Sequence, residues 1–472
     1  MNVLPFDALG AGHGRSVAIY GTVVAVGAPR ERTLGTDAGA AYLFDKRTGR
    51  VLHDLKPADP QPGKMFGQTI ALPSGSNALD AALNQVSVGA PEAYHSGAKT
   101  GAVYVFSVAN GVQQFKLVAS DLQQYDAFGT GLAMHAGKVI VGAPNHQVLG
   151  KGNAGAVYIF SCSTGAQEAK VVASDARQLA FFGTSVAAHG STLLVGAPKM
   201  VVGSAAAAGS AYVFDSAAAY AERRVLVQPV SSAGATFGHA VSVFGASAVV
   251  GAPYANGGSG AAYVYEAVLS GAPTAVVPPT PAIDRRFGYA VVMHEAQVLL
   301  GAPLSRTSNG DLSGYVMMVD TSTQTLPNSI LKARDGELGD QFGVSVAMHG
   351  DSFVIGAQSH ANGGLAGSLD GAAYVFQPGP LPPPPYPPPE PPSVPPPQHS
   401  PGAPAPEKPE PEELYFQIVL YVAAALAGGL VLVVATSVVR GYHKVLQARR
   451  VLPPAKAAGA AVAMLQGPTH GP

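Results

Sequence analysis

The stretch FGTGLAMHAGKVIVGAP, Phe128 to Pro144, holds a single charged side chain, Lys138, and ends in a tight Gly-Ala-Pro. Its text recurs along the chain. Phe-Gly pairs begin at Phe66, Phe128, Phe182, Phe237, Phe287 and Phe342, with a degenerate copy at His13-Gly14. Gly-Ala-Pro triplets start at Gly27, Gly89, Gly142, Gly196, Gly251 and Gly301, and the last copy reads Gly356-Ala357-Gln358. After each triplet come a variable loop and an aromatic strand, such as VYIF ending at Phe160 or AYVF ending at Phe376. Seven copies spaced 50 to 62 residues apart define a repeat architecture.

Each copy reads as four short strands. In the third these are Gly129–Met134, Lys138–Val141 and Ala156–Phe160, with Phe115–Ala119 before them as the outer strand. A short turn, His135-Ala136-Gly137, joins the first two, and glycine supplies the positive φ of a tight hairpin. The second strand is apolar at consecutive positions, which marks burial on both faces. Sheets stacked face to face around an axis bury both faces, as in a β-propeller. The expected fold is all-β: a seven-bladed propeller of four-stranded blades.

These motifs closely resemble the FG-GAP repeat family, which includes the seven-bladed propeller at the head of integrin α chains. The resemblance covers residues 1 to 376. It implies the propeller fold and a ligand site on the loop face, and it is poorly specific for function.

Gln377-Pro378-Gly379-Pro380 cannot continue as a strand, so one blade lacks its outer strand. The N-terminus offers a replacement: Asn2–Phe6 is expected beside Ala373–Phe376, closing the ring and removing exposed edges. Met1 then falls inside a strand with no basic, apolar or cleavage region ahead of it, so a signal peptide is expected upstream of the given sequence.

The domain reading is 1–377 propeller, 378–413 proline-rich stalk, 414–439 membrane segment and 440–472 short tail. The stalk, including LPPPPYPPPEPPSVPPP, favours polyproline II and would span ~110 Å when extended. It resembles the stalks of hydroxyproline-rich wall glycoproteins. Ile418 to Val439 is uncharged over 22 residues, sufficient for one transmembrane helix. Glu410, Glu412 and Glu413 precede it, and Arg440, Lys444, Arg449 and Arg450 follow it. The positive-inside rule puts the tail in the cytoplasm and the propeller outside. Ala424 and Gly428 have the small-xxx-small spacing that can pair helices. Arg440-Gly441-Tyr442-His443-Lys444 is faintly similar to the membrane-proximal motif of integrin α chains, and reads first as a basic flank.

Composition narrows the chemistry. Charged residues are 12%, and the net charge of −1 supplies no bulk field for nucleic acid. The single cysteine, Cys162, excludes an internal disulfide and has no adjacent base or second thiol. Integrin-type calcium loops carry alternating acids between the first two strands, because calcium needs six to eight oxygens. Here those loops are minimal turns; only the second copy is longer, with Asp80 its sole acid. No calcium or other cofactor is expected. His135, His189, His294 and His349 share one repeat position and read as turn residues, spread too far around the ring to hold one ion. Asp121, Asp175 and Asp340 recur before Phe-Gly pairs and read as turn caps. No nucleophile elbow, metalloprotease motif or phosphate loop is present, so no catalytic residue is assigned.

The variable loops after the second strands all project from one end of the strands. A rigid scaffold with divergent loops is how binding surfaces are built. The candidates there are Arg30, Arg32, Tyr94, His95, His146, Tyr254, Arg306 and His360. The expectation is a single-pass surface protein whose head recognises an extracellular protein or glycan without catalysis. Two alternatives stand beside it: an extracellular enzyme with a pocket on the loop face, and a structural wall glycoprotein.

Overall fold

A computed structural model describes residues 2–4, 11–74, 84–280, 285–306, 312–322, 329–360 and 370–377. The proline-rich segment 378–413, the apolar segment 414–439 with Ala424 and Gly428, and the tail 440–472 lie outside the described residues.

The described residues form seven four-stranded antiparallel sheets. Their inner strands are Ser16–Tyr20, Thr69–Ala71, Gly131–His135, Ser185–His189, Ala240–Phe244, Ala290–His294 and Phe342–His349. Each leads into an apolar second strand, as Lys138–Ala143, buried at five consecutive positions, through a short connection in every blade but the second. The aromatic strand follows, as Ala156–Ser161. Blades stack through mixed clusters: Val103, Val105 and Leu117 of the second blade meet Phe128, Val139 and Tyr158 of the third. The Phe128 ring is fully buried and lies 5.7 and 5.8 Å from the rings of Tyr158 and Phe160. Truncating such a side chain costs ~3–5 kcal/mol.

The Phe-Gly and Gly-Ala-Pro phrases are the joints of the ring. Gly129 N–H donates to Gly142 O at 3.0 Å within the third blade. The Cα of Gly142 in turn lies against the next blade, where a Cβ would stand 1.9 Å from Gly183 O. Hydroxyls reinforce the joint: Ser16 donates to Gly67 O at 2.9 Å, Thr69 to Gly129 O at 2.6 Å and Ser185 to Gly238 O at 2.9 Å. Close backbone approach, together with burial, accounts for the small, uncharged wording of the phrase.

The ring closes as expected. Asn2 pairs with Val375 and Val3 with Tyr374, and Leu4 N–H donates to Ala373 O at 3.0 Å. Leu4 is buried. Ser345 Oγ donates to Gly14 O at 2.8 Å, joining the seventh blade to the first. Phe6 lies outside the described residues.

One strand assignment is corrected. Gln113–Leu117 belongs to the second blade, where Val103 pairs with Leu117. The third blade's outer strand is Gln167–Val171, paired at Val157 and Val171. The cause is local. Gly111 N–H bonds back to Ser107 O at 2.9 Å, so the chain folds onto the aromatic strand it has just left. The outer strand therefore ends a blade rather than beginning one.

Candidate functional site

The loops that follow the second strands share one end of the propeller with the segments that lead into each Phe-Gly pair. Asn145 N–H donates to Asp126 O, Lys199 N–H to Ala180 O and Tyr254 N–H to Ala235 O, at 3.2 to 3.3 Å. On this face Arg30 and Arg306 are exposed, and Arg32 lies 3.9 Å from Asp37. Tyr94 and His95 form a two-residue ribbon with Ala98–Lys99, both exposed. Tyr254 is exposed and carries the Arg286 guanidinium 5.3 Å above its ring.

His146 and His360 do not face solvent. They are 2% and 6% exposed. His146 Nδ1 lies 2.7 Å from Asp126 Oδ2, and His360 Nδ1 lies 2.9 Å from Asp340 Oδ2. Both histidines occupy the second position after the triplet, where the pre-Phe-Gly turn presents its aspartate inward. The same aspartates accept from the backbone N–H of Gln123 and Glu337 at 2.7 Å. His360 is held protonated above its ordinary range by the Asp340 bond, with Asp335 and Glu337 adding to it against burial. In the third blade Lys170 Nζ stands 2.9 Å from His146 Nε2 and 2.5 Å from Asp121.

The aspartates expected as one set are two. Asp121, Asp175 and Asp335 accept the hydroxyls of Tyr158, Tyr212 and Tyr374 at 2.9, 2.7 and 2.9 Å. Asp126 and Asp340 cap the turn and hold the histidine. Burial works to raise the Asp121 carboxyl, but bonds from Lys170 and Tyr158 outweigh it and hold it below the usual range.

The face also presents three side chains that residue type alone did not single out. The third residue before Phe66, Phe128, Phe182, Phe237 and Phe342 has positive φ. It is glycine at Gly63, Gly234 and Gly339, but Tyr125 (φ 72°) and Leu179 (φ 62°) in the third and fourth blades. In the tight turn between Val148 and Lys151, Leu149 has φ 50°, where the fourth blade places Gly203. Tyr125, Leu149 and Leu179 are 61%, 90% and 51% exposed. They flank one loop: Asn145 Nδ2 donates to Tyr125 O at 2.9 Å, and Leu179 N–H to Gly152 O at 3.0 Å. Comparison of equivalent repeat positions finds them; only Leu149 lies in the loops after the second strands, where it is neither charged nor aromatic, while Tyr125 and Leu179 lie before the Phe-Gly pairs.

The FG-GAP repeat family profile matches residues 8–44, 112–160, 166–214, 220–265 and 328–376. This is an FG-GAP repeat protein. Seven blades, the Phe-Gly to Gly-Ala-Pro joints and the closed ring fit an integrin-α-like FG-GAP propeller. No curated protein sequence matches the chain. The blades that the profile leaves unmatched, built around Phe66 and Phe287, have the same four-stranded form.

At the opposite end of the FG-GAP propeller the inner strands finish in a collar. Ring centroids run His135–His189 at 5.6 Å, His189–Phe244 at 4.3 Å and Phe244–His294 at 4.6 Å. They continue His294–His349 at 5.8 Å and His349–Tyr20 at 4.9 Å. The expectation that equivalent positions are widely spread is corrected: seven strands converging on one axis bring neighbouring side chains into contact. Burial, then the neighbouring histidines, depresses His189; burial, then His294 and Lys46, depresses His349. Among the described residues no group of three or more His, Cys, Asp or Glu is placed to hold a metal ion. The inner-to-second turns are as short as Ala136-Gly137 and Glu295-Ala296. The longer second-copy loop with Asp80 lies outside the described residues. Between collar and loop face lies a channel cavity of about 230 Å³, walled by small aliphatic residues such as Val17, Ala133, Val186 and Val291.

Proposed function

We propose that this FG-GAP propeller is a non-catalytic recognition head, binding an extracellular protein or glycan through its loop face, without a cofactor. The observation that carries the reading is the placement of Tyr125, Leu149 and Leu179. Left-handed backbone costs a non-glycine residue on the order of 1–2 kcal/mol. An exposed Leu149 repays none of that within the fold. Strained, exposed apolar side chains on one loop cluster are what a binding surface retains and a mere connection sheds.

The head is carried, on this reading, by a single-pass plasma-membrane protein. Ile418–Val439 crosses the bilayer, with the tail from Arg440 in the cytoplasm and the proline-rich 378–413 as spacer. Among the described residues no helix is long and apolar enough to cross a membrane; the segment in question lies outside them. Helix pairing through Ala424 and Gly428 belongs to the same proposal.

Intact cells expressing the full chain test both halves. A membrane-impermeant amine reagent should label Lys151 and Lys199 without lysis; labelling only after lysis overturns the topology. Adhesion to immobilised extracellular matrix should fall when Tyr125, Leu149 and Leu179 are all replaced by glycine at equal surface expression. Unchanged adhesion overturns the loop-face assignment.

A further inference from the structure

Three positions per blade lie at the joints on the loop face: one just before the Phe-Gly pair, one just after it, and one just after the triplet. Those just after the pair meet across blades at the channel mouth, as Arg15 with Gln68 and His239 with Tyr289. The hydroxyl bonds from Ser16, Thr69, Ser185 and Ser345 to the next blade's Phe-Gly or His-Gly carbonyl keep these segments side by side. The chain as a whole is balanced, with 28 lysines and arginines against 29 acids. The mouth is not. The three positions hold Arg15, Lys199 and Arg286, whose charges reach His239, and Arg30 beside Gly12, against one carboxylate, Glu92, already paired with Lys99. Glu31, Asp126 and Asp340, which flank these positions, are buried and bonded to Thr33, His146 and His360.

The four cations come from blades one, four and six, and none of them forms an ion pair among the described residues. Gln68, with its side-chain oxygen turned toward Arg15, accepts from Nε and Nη2 at 3.2 and 2.9 Å. Arg286 lies over Tyr254, leaving its guanidinium edge for other partners. The His239 ring packs 4.6 Å from Tyr289. Burial, then the charges of Arg15, Arg286 and Lys199, depresses His239 to about 4. Positive charge from separate blades thus converges on one opening without a counter-charge.

We propose that this mouth binds the carboxylate or sulfate groups of an acidic polysaccharide. The proposal rests on the loop-face reading above and names the ligand class. Cations spread over several blades suit a ligand of repeated charge better than one compact anion. The exposed Tyr254 ring beside Arg286 adds a flat apolar surface for a sugar ring. A protein partner would need desolvated apolar anchors at the centre. The large aliphatic, Met and Phe side chains at these positions, Met65, Phe181, Leu304 and Val344, are half-buried or buried, and none is an exposed anchor. Guanidinium groups bind planar oxyanions in a bidentate manner, which Lys199 can supplement as a point charge.

The test uses the full chain on cells or in detergent, with fluorescent polygalacturonate and dextran sulfate as probes and neutral dextran and polyglutamate as comparisons. Both acidic polysaccharides should bind at physiological salt and weaken as salt rises; the stronger of the two identifies carboxylate or sulfate as the preferred group. Arg15→Gln with Arg286→Gln should weaken binding at least about tenfold. Lys46→Gln with Lys138→Gln removes the same charge near the collar end and should change little. Equal loss in both pairs, tighter binding of polyglutamate, or no polysaccharide binding at physiological salt overturns the proposal. If the glycine variants at Tyr125, Leu149 and Leu179 abolish matrix adhesion while the Arg15/Arg286 pair leaves it intact, the ligand class fails and the loop-face reading survives. If neither set matters, both fail.

Discussion

Replacing Leu149 with glycine should stabilise the propeller. Leu149 sits at φ 50° in a two-residue turn and is 90% exposed. Releasing the left-handed strain returns about 1–2 kcal/mol. The greater freedom of glycine in the unfolded chain takes back roughly 0.5–1 kcal/mol. With almost no buried surface to lose, the net gain is about 0.5–1 kcal/mol. In a domain of this size that raises the melting midpoint by roughly 1–3 °C. Tyr125 and Leu179 are less exposed, so their glycine variants should gain less. The reciprocal change, Gly63→Leu at φ 69° in the second blade, should lower the midpoint by a similar amount. Thermal unfolding of the full chain, variant beside wild type, provides the measurement. A fall in midpoint for Leu149→Gly would mean that the side chain earns its place by packing, and the inference from strain to recognition would collapse.

Gly142→Ala should cost several kcal/mol, on the order of 3–5, because its Cβ would meet Gly183 O at 1.9 Å of backbone. Gly190→Ala, where nothing lies within 4 Å, should cost only about 1 kcal/mol of φ strain; similar losses for the two would refute the joint. Leu4→Ala should destabilise the seventh blade by about 2–4 kcal/mol, seen as faster amide exchange in Ala372–Phe376. For His360 the folded value lies above the ordinary 6.5, so its stabilisation is complete below 6.5 and fades as pH rises through the folded value. His360→Gln should flatten that slope, and an unchanged pH profile would exclude the Asp340 pairing. His189 and His349 work in the opposite sense: stability is full above 6.5 and is lost as pH falls through their depressed values. Phenylalanine at both, as Phe244 already is, should blunt acid sensitivity, measured as melting midpoint between pH 7 and pH 5.

The fold was legible because its joints are written in residues that tolerate no substitute. The glycines, as Gly142 against Gly183, recur in all seven blades, and the rings of Phe128, Tyr158 and Phe160 recur in most, with His13 in the first and Met317 and Val319 in the sixth, so the text repeats. The N-terminal strand could be placed because Gln377-Pro378 forbids the alternative. The outer strand was misplaced because a cyclic repeat has no marked beginning; only the Gly111 turn decides which neighbour it joins. Functional positions were harder. His146 and Tyr254 both follow Gly-Ala-Pro, yet one turns inward to an aspartate and the other remains exposed. The difference lies in position: Tyr254 stands first after its triplet and His146 second, where Asp126 of the previous linker meets it. Asp335 and Asp340 differ by five residues and by role, which spacing within one copy cannot show. The collar and the cationic mouth arise from convergence on an axis, which no linear window contains.

Closure by Asn2–Val3 has a mechanical consequence. The chain leaves the propeller at Gln377, directly after Ala372–Phe376. That strand is bonded on both sides, to Asn2–Val3 and to Ser352–Ala357, over antiparallel registers. Tension arriving through Gln377 therefore enters the ring on an interior strand rather than an edge. Two ladders must yield together before the seventh blade releases it. A head that is pulled from its base while holding a ligand is loaded where the ring is braced on both flanks.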